Sequence, residues 1–464
     1  MADKPNTPNQ VEKRGFKRQI SRWIPACAAG TVLAVMVWIW LVLHINGSGG
    51  NQFAADAGLR WVAVGRLAGL LAMTLLMFQV LFIARAPRIE PLYGMDRLTR
   101  WHHNLGIVVV LLVAVHVFSV THGMAQSGGN TMVDQFRQFL KDWDDIPEAL
   151  GGLALLLAAA GLSIARVRRL LGYERWHASH LAMYAALVLI LGHQLELGFD
   201  LNETVYFRVI WYIMLGVVGF QLFLFRLMLP WALFGQHRFQ VDSVTQETSD
   251  VVSVRITGRK MESMRVRPGQ FVIVRFLARG FWMQPHPFSI SAPFDGKTLR
   301  LSIKKLGDFT RRIPELQPGT RVVVDGPHGA FTPDRRRSNR ILLIAGGIGI
   351  TPIRCLAEAL LDQQCDVALL YGNRDRHGVV FEQELQALAE RFPQFRLVHV
   401  INDGTDWDGE TGIIDHHRIA RLVPDCANRD VFLCGPPAMM TGVLAALRAL
   451  QVPKRNIHFE RFSF

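Results

Sequence analysis

The stretch RWHHNLGIVVVLLVAVH, residues 100–116, carries histidines near both ends of a run apolar enough to cross a bilayer. His102 and His116 are 14 residues apart, which is ~20 Å along a helix axis at about 1.5 Å per residue. Two imidazoles so far apart cannot bind the same metal ion. Each can bind one face of a separate planar cofactor if a second helix supplies the opposite ligand.

A second apolar run carries a matching set of histidines. The two sets are His102, His103 and His116, and His177, His180 and His193. At roughly 100° per residue, His116 lies within ~40° of His102 but ~140° from His103, which favours His102. The same test favours neither His177 nor His180 as the mate of His193, so that choice stays open. Ionisable groups inside a membrane indicate function, although histidines can also bond to backbone carbonyls or lie at the interface.

Six apolar runs precede residue 232, and most have the ~20 residues that a membrane span requires. They cover residues 22–44, 62–84, 104–122, 150–165, 181–197 and 207–229. Basic connections alternate with acidic ones, which predicts a multi-pass protein of the plasma (inner) membrane with both termini cytoplasmic. We expect the first run to be retained, because it is longer than the apolar core of a signal peptide.

Charge and cysteine content narrow the class of protein. The formal net charge is +13, but the basic residues lie mostly in the inner connections, where orientation and anionic lipid explain them better than nucleic acid does. The five cysteines include no Cys-x-x-Cys pair. The composition therefore predicts a membrane protein in contact with the lipid bilayer, with no nucleic-acid partner and no disulfide framework.

After residue 235 the long apolar runs give way to short segments of alternating polarity. Alternating segments separated by Pro-Gly and Asp-Gly turns predict a small antiparallel β-barrel over 235–335. From 338 to 464 the order strand, glycine-rich turn, helix, strand is typical of a doubly wound α/β domain. The predicted fold is thus a polar tail (1–21), a six-helix transmembrane bundle (22–232), the barrel and the α/β domain.

Two segments of the predicted barrel fit a flavin. QPHPFSIS (284–291) offers aromatic rings and hydroxyls, and IKKLGDFT (303–310) offers a cation, a glycine and a hydroxyl. The candidate cofactor-binding residues are His286, Pro287, Phe288, Ser289, Ser291, Ile303, Lys304, Gly307, Phe309 and Thr310.

The α/β domain carries a glycine-rich turn, GGIGITP (346–352), between a strand and a helix. Such a turn lets a dinucleotide pyrophosphate approach the helix N-terminus. The candidate residues here are Gly347, Gly349, Thr351 and Pro352, with Arg374, Gly435 and Pro436 from later segments. Arg374 and Arg376 could contact a 2'-phosphate, which favours NADPH and leaves NADH open.

These motifs carry a family resemblance over most of the chain. WHHNLG (101–106) with His116, and YERW (173–176) with His180 and His193, resemble the ferric reductase-like transmembrane domain of ferric reductases and NADPH oxidases. HPFSIS, GDFT, GGIGITP, YGNRDR (371–376) and CGPP (434–437) resemble the ferredoxin-reductase-type FAD and nicotinamide module.

The resemblance implies a ligand set and several site roles. His102 with His180 would bind an inner b-type haem, and His116 with His193 an outer one. Arg66 would lie near the outer haem and the external acceptor. Phe464 would cover the flavin, and Cys434 would lie near the nicotinamide.

The expected activity follows from this arrangement. Electrons from cytoplasmic NADPH would pass through FAD and two haems to a one-electron acceptor outside, either dioxygen, giving superoxide, or a ferric chelate. One alternative is a haem-flavin subunit that delivers electrons to a protein partner. Another is a histidine-lined ion pathway, which predicts no haem spectrum.

Overall fold

The computed structural model describes residues 8–46, 56–87, 89–171, 173–196, 198, 201, 204–282, 284–403 and 407–461. Phe464 lies outside the described residues. The chain divides into two compact units. The helical unit contains residues 23–86 and 97–224, and the sheet unit contains residues 87–96 and 225–464 with the start of the chain.

Long apolar helices dominate the first half of the chain. In chain order the helices are α1 (Pro8–Asn46), α2 (Ala57–Ile83), α3 (Glu90–Tyr93), α4 (Met95–Gly128), α5 (Met132–Asp142), α6 (Ile146–Leu162), α7 (Ala165–Leu171), α8 (Tyr173–Glu196), α9 (Val205–Leu222), a π-helical turn (Phe223–Met228) and α10 (Leu229–His237). Side-chain caps mark several starts: Asp56 accepts from the Gly58 amide on α2, and Thr131 accepts from the Asp134 amide on α5.

Five helical segments of the described residues are long and apolar enough to cross a membrane. They are Ile24–Ile45, Ala57–Ile83, Met95–Gly128, Arg175–Glu196 and Val205–His237. Helices α5 and α6 meet at 114° and pass the same test only as a pair, which raises the count to six. The predicted six-helix count is therefore not confirmed.

The interior of the helical unit combines large apolar side chains with small residues at close contacts. Phe207 and Trp211 of α9 are almost fully buried beside residues of α1 and α2. A Cβ on Gly152 of α6 would lie 2.8 Å from Ile190 and 3.0 Å from the Ala186 carbonyl on α8. Glycine at this position lets the two backbones approach closely, as is common between membrane helices.

Residues 240–328 of the sheet unit form two three-stranded antiparallel sheets. Their strands are β1 (Gln240–Thr248), β2 (Val251–Thr257), β3 (Phe271–Phe276), β4 (His286–Ser289), β5 (Leu299–Lys304) and β6 (Val322–His328), with α11 (Asp308–Arg311) after β5. The orders are β1-β2-β5 and β4-β3-β6. Two isolated bridges, Gln240 with Arg321 and Ile290 with Leu301, join the sheets. The antiparallel pairing agrees with the prediction, whereas regular pairing among the described strands does not extend to a closed barrel.

Residues 340–460 form a six-stranded parallel sheet flanked by helices. Its elements are β7 (Arg340–Gly346), α12 (Ile350–Asp362), β8 (Asp366–Asn373), α13 (Glu382–Arg391), β9 (Phe395–Ile401), β10 (Glu410–Thr411), α14 (His416–Leu422), β11 (Asp430–Cys434), α15 (Pro437–Ala449) and β12 (Ile457–Glu460). The order β10-β9-β8-β7-β11-β12 is doubly wound. Successive strands are added toward one edge of the sheet from β7 and toward the other edge from β11, so the strand order reverses between β7 and β11, where open α/β sheets bind their ligands.

Candidate functional site

The structure brings four of the predicted histidines together as two pairs. The ring centroids of His102 and His180 are 6.0 Å apart, and those of His116 and His193 are 6.3 Å apart. Two imidazoles bound to opposite sides of one metal would have centroids about 6 Å apart, given metal–nitrogen bonds of ~2 Å and a ring radius of ~1 Å. Both pairs therefore have the spacing at which two imidazoles would hold one metal ion between them.

Three of these imidazoles are held in one tautomer by backbone carbonyls. The Nδ1 atom of His102 donates to Gln79 O (3.0 Å), that of His116 to Gly65 O (2.8 Å) and that of His193 to Ile190 O (2.8 Å). A carbonyl can only accept, so each Nδ1 carries the proton and the Nε2 of the neutral ring does not. This is the tautomer that a metal-binding histidine adopts when its other nitrogen is fixed by the protein.

His180 reaches the same tautomer through a side chain. Its Nδ1 lies 3.3 Å from the hydroxyl of Ser163, which donates its own proton to the Ala159 carbonyl at 2.7 Å. Because the hydroxyl proton is used there, Ser163 accepts from His180. The indole of Trp176 donates to the same hydroxyl at 3.2 Å and stacks on His180 with centroids 5.4 Å apart.

Glycines of α2 make room for the second pair. A Cβ on Gly69 would lie 2.8 Å from His116 Nδ1, and a Cβ on Gly65 would lie 2.9 Å from the Val120 amide. Any side chain at these positions would push α4 or the imidazole away. The GRLAG segment of α2 is therefore a cradle for His116.

A cavity of about 260 Å³ lies beside the second pair inside the helical unit. His116, His193 and Arg66 line it together with many apolar side chains. Phe136 and Phe139 of α5 also line it. The acidic residues around α5 are typical of an outer connection, so the sequence alone did not indicate these aromatic contributions. The amphipathic spacing of MVDQFRQFL (132–140) was the signal that could have found them.

The other two histidines of the sets lie outside the pairs. His103 is exposed, and His177 lies beside Trp176 with ring centroids 6.3 Å apart. The 13-residue spacing of His180 and His193 argued against that ligand pair on geometry, yet each imidazole meets its counterpart. The donor groups of both pairs fit b-type haems, and the glycine cradle and the cavity add room for such a group beside the second pair.

The predicted flavin segment forms an aromatic cluster on β4. The rings of His286 and Phe309 are 3.8 Å apart at their centroids, and Phe288 lies 6.4 Å from His286. The hydroxyl of Ser289 is buried, and no described residue bonds to it. A buried hydroxyl without a protein partner fits a ligand's polar group.

Several other predicted flavin residues have internal roles. Ile303 and Phe309 belong to the hydrophobic core. The hydroxyl of Thr310 accepts from the amides of Leu306 and Gly307, both at 2.9 Å. Lys304 pairs with Asp250 at 3.0 Å, and the Ser291 hydroxyl lies 2.8 Å from the Ser302 hydroxyl. Pro287 lies in β4 between His286 and Phe288.

The glycine-rich turn lies at the reversal point of the parallel sheet. Gly347 has φ +50°, and a Cβ on Gly349 would lie 2.8 Å from the Cα of Gly435. Glycines are required here because the turns after β7 and β11 touch backbone to backbone. The hydroxyl of Tyr371 donates to Gly347 O at 3.3 Å and accepts from the Val380 amide at 3.2 Å, which fixes the turn.

The remaining predicted residues surround this turn. Thr351 donates to the Ile348 carbonyl at 2.9 Å in the first turn of α12, next to Pro352. Arg374 follows β8 and is exposed. Pro436 follows Gly435 and immediately precedes α15.

Cys434 is fully buried at the end of β11. Burial raises the pKa of its thiol well above the ordinary value, and the nearby carboxyls of Glu460 and Asp96 raise it further. The side chain is therefore a neutral thiol, not a thiolate. Its backbone packs against Gly349 of the glycine-rich turn, and a nucleophilic role is disfavoured. That Cys434 lies near a bound nicotinamide stays a prediction.

A helical unit with paired histidines, joined to a flavin-type sheet pair and a dinucleotide-type parallel sheet, defines a membrane oxidoreductase that uses NAD(P)H. Family models agree with this division. The ferric reductase-like transmembrane component matches residues 68–191, the FAD-binding domain matches 236–332, and the oxidoreductase NAD-binding domain matches 343–444. The chain belongs to the ferric reductase/NADPH oxidase-like architecture.

Curated relatives resemble about half of the chain, which spans just under two thirds of their own length. The glycine betaine monooxygenase reductase subunit of Chromohalobacter salexigens is 28% identical over 238 residues, which are 49% of this chain and 64% of the relative. The ferredoxin reductase component of the 3-ketosteroid-9-alpha-monooxygenase of Mycolicibacterium smegmatis is 31% identical over 241 residues, 49% of this chain and 66% of the relative. Among solved structures, the ferredoxin reductase in carbazole 1,9a-dioxygenase matches 48% of this chain and 68% of its own, with 23% identity and a TM-score of 0.42.

Proposed function

We propose that this protein oxidises NADPH on the cytoplasmic side of the plasma (inner) membrane and reduces a one-electron acceptor on the outer side. The acceptor is dioxygen, which yields superoxide, or a ferric chelate. The observation that carries the proposal is the presence of two histidine pairs in metal-binding tautomers, each joining α4 to α8. NADH is the alternative donor.

FAD and two b-type haems, when bound, supply the conversion of a hydride into single electrons and their conduction between the two faces. His102 and His180 would hold the inner haem, and His116 and His193 the outer one. Arg66 places a cation in the apolar cavity, where it would offset an anionic group such as a haem propionate.

The sheet unit would bind and orient the nucleotides. His286 and Phe288 provide the aromatic surface for a flavin, and Ser289 provides a buried hydroxyl. Gly347 and Gly349 admit the dinucleotide pyrophosphate, and exposed Arg374 is available to a 2'-phosphate. Cys434 stays protonated and needs to transfer no proton, because hydride transfer requires no acid or base at this position.

The first experiment is an absorbance spectrum of the full chain purified in detergent, recorded reduced minus oxidised. We expect a b-type haem spectrum and two haems per flavin. His116→Ala should lower that ratio, because it removes one ligand of the second pair. His103→Ala is the matched control: it removes an exposed histidine of the same helix and should leave the ratio unchanged. Absence of haem from the wild-type protein would overturn the proposal.

The acceptor is identified in a second experiment. NADPH is added aerobically in two assays. One follows the reduction of cytochrome c with and without superoxide dismutase, which removes superoxide. The other follows the reduction of a ferric chelate. Reduction in neither assay, by protein that contains haem and flavin, would favour the alternative of a protein partner. The names of the two curated relatives describe reductase parts of monooxygenases, which is the observation that keeps this alternative in view.

A further inference from the structure

An arginine buried in the flavin-type part of the sheet unit connects it to the nucleotide-type part. Arg300 of β5 has a side chain only 9% exposed. Its guanidinium donates to the carbonyl and hydroxyl of Ser291, at 3.0 and 3.2 Å. It also donates to both carboxylate oxygens of Glu384 on α13, at 2.6 and 2.9 Å.

Glu384 receives a second arginine from the helix that follows the glycine-rich turn. Arg354 Nε lies 2.9 Å from Glu384 Oε2, and Arg354 is two residues after Pro352 in α12. The two guanidinium groups hold the pKa of the Glu384 carboxyl below its usual value, although partial burial acts in the opposite direction. Glu384 is therefore an anion between two cations, one from each part.

The backbone before α13 is adapted to this contact. Phe381 has φ +62°, a left-handed conformation that is costly for a bulky residue. Its ring is buried, and the Arg300 guanidinium lies 4.6 Å from its centroid. Arg300 thus contacts both the Glu384 carboxylate and the face of the Phe381 ring at the start of α13.

We infer that Glu384 is a positioning residue that holds the flavin-type and nucleotide-type parts in the register required for hydride transfer. The inference rests on the proposed function. In that reaction the C4–H bond of NADPH breaks, its hydride bonds to the flavin N5, and NADP⁺ and an anionic reduced flavin result. The network joins Ser291, at the end of the flavin segment, to Arg354, at the start of the pyrophosphate helix. A misplacement of ~1 Å between reacting groups can cost about a hundredfold in rate.

The test uses the FAD-loaded full chain and the substitution Glu384→Gln, which keeps size and removes charge. We expect anaerobic flavin reduction by NADPH to slow by roughly ten- to a hundredfold. Flavin content and the Kd for NADP⁺ should stay within about twofold of wild type, because each nucleotide contacts its own part. Hydrogen exchange should become faster in residues 382–391 and 299–304.

Glu358→Gln is the matched control. Glu358 pairs with Arg354 at 3.1 Å within the same helix and does not join the two parts. It should change the rate of flavin reduction by less than about twofold, because Glu384 keeps both of its arginine partners. Glu384→Asp should recover part of the lost rate, because it restores the charge.

The outcomes separate this inference from the proposed function. Wild-type protein whose flavin NADPH does not reduce would defeat the proposed function. Reducible wild-type protein together with an unchanged rate and unchanged exchange in Glu384→Gln would overturn the inference. A slower rate accompanied by flavin loss that Glu384→Asp does not reverse would also overturn it, because Glu384 would then act on folding alone.

Discussion

Ser163 determines which nitrogen of His180 is left for a metal. A serine hydroxyl has one proton, and that of Ser163 is donated in a hydrogen bond to the Ala159 carbonyl. The hydroxyl can then only accept, which places the remaining proton on His180 Nδ1. At the other three histidines a backbone carbonyl does this work, and no substitution can remove a carbonyl. Ser163 is thus the member of the four supports that mutation can test directly.

We predict that Ser163→Ala weakens haem binding at the pair formed by His102 and His180. Loss of a hydrogen bond that fixes a ligating histidine typically lowers affinity by about 10–100-fold. Haem content and reduced-minus-oxidised absorbance should fall toward those of a single-haem protein, and the lower-affinity centre should shift in redox titration. Ser163→Thr keeps the hydroxyl and should restore both. Normal content and potentials in Ser163→Ala would show that His180 needs no such support.

The sequence predicted the histidines of both pairs but not what holds them. Imidazoles in apolar runs are conspicuous, and the family resemblance implied their pairing. The carbonyls of Gln79 and Gly65 belong to the backbone, so no residue type marks them. Phe309 shows the opposite difficulty. It belongs to the predicted flavin motif and also to the hydrophobic core, and the sequence cannot separate these two roles.

At the scale of elements, the short connection between α2 and α4 has contacts that its sequence does not indicate. Residues 87–96, including α3, lie in the sheet unit. The Glu90 carboxylate accepts from the Gly329 amide, and the Asp96 carboxylate accepts from the Arg461 amide, both at 3.0 Å. These contacts bring two carboxyls toward Glu460 of β12. Burial raises the pKa of Glu460 well above its ordinary value of 4.5, and the charges of Asp96 and Glu90 raise it further.

This elevated pKa predicts a pH dependence of stability. Above pH 4.5 the unfolded chain loses the Glu460 proton while the folded chain keeps it, so stability falls as pH rises toward the folded pKa. Glu460→Gln removes the titrating group without changing its size. The variant should match wild type near pH 4 and have the higher thermal midpoint of unfolding at about pH 8.

Glu410→Gln is a control with the opposite sign. The hydrogen bond from Arg421, and then that from Arg418, lower the pKa of the Glu410 carboxyl. Its contribution to stability is present above the unfolded pKa and is lost as pH falls through the folded one. Glu410→Gln should therefore have the lower midpoint at neutral pH. Parallel midpoint curves for Glu460→Gln and wild type would contradict the assignment of a raised pKa.

Strand and helix types were more predictable than their contacts. Alternating residues and a glycine-rich turn are local signals, and they predicted antiparallel strands followed by a doubly wound sheet. Phe136 and Phe139 of α5 line the cavity of the helical unit, so a segment that the sequence suggested to be a polar outer connection contains an amphipathic helix. The position of residues 87–96 depends on contacts with residues more than two hundred positions away, which no local pattern contains.

At the scale of the whole molecule, the number of spans decides whether the two termini lie on the same side of the membrane. An even count places both termini on one side, and the count is five or six according to whether α5 and α6 form one span. Helix α6 has 17 residues, or ~25 Å at about 1.5 Å per residue, close to the ~30 Å hydrocarbon thickness. A span that includes α6 would make the count even, as the predicted cytoplasmic location of both termini requires.

That topology has an electrical consequence that can be measured. In the proposed reaction, NADPH oxidation on one side and one-electron reduction on the other would move negative charge across the membrane and leave protons behind. Each elementary charge moved against 100 mV costs about 2.3 kcal/mol. In sealed proteoliposomes with the nucleotide-binding side outward and an impermeant acceptor trapped inside, the rate of NADPH oxidation should fall as a potential builds, negative inside.

A protonophore should dissipate that potential and restore the initial rate, whereas the same compound should have no effect on protein in detergent, where no potential can form. A potential-sensitive dye gives the second readout and should report an interior-negative potential only when NADPH and trapped acceptor are both present. His116→Ala vesicles provide the control for leakage, since the outer histidine pair is incomplete and neither signal should develop. Steady oxidation that reduces the trapped acceptor without a potential would mean that charge-compensating protons cross with the electrons, and a simple electron path between the two histidine pairs would then be insufficient.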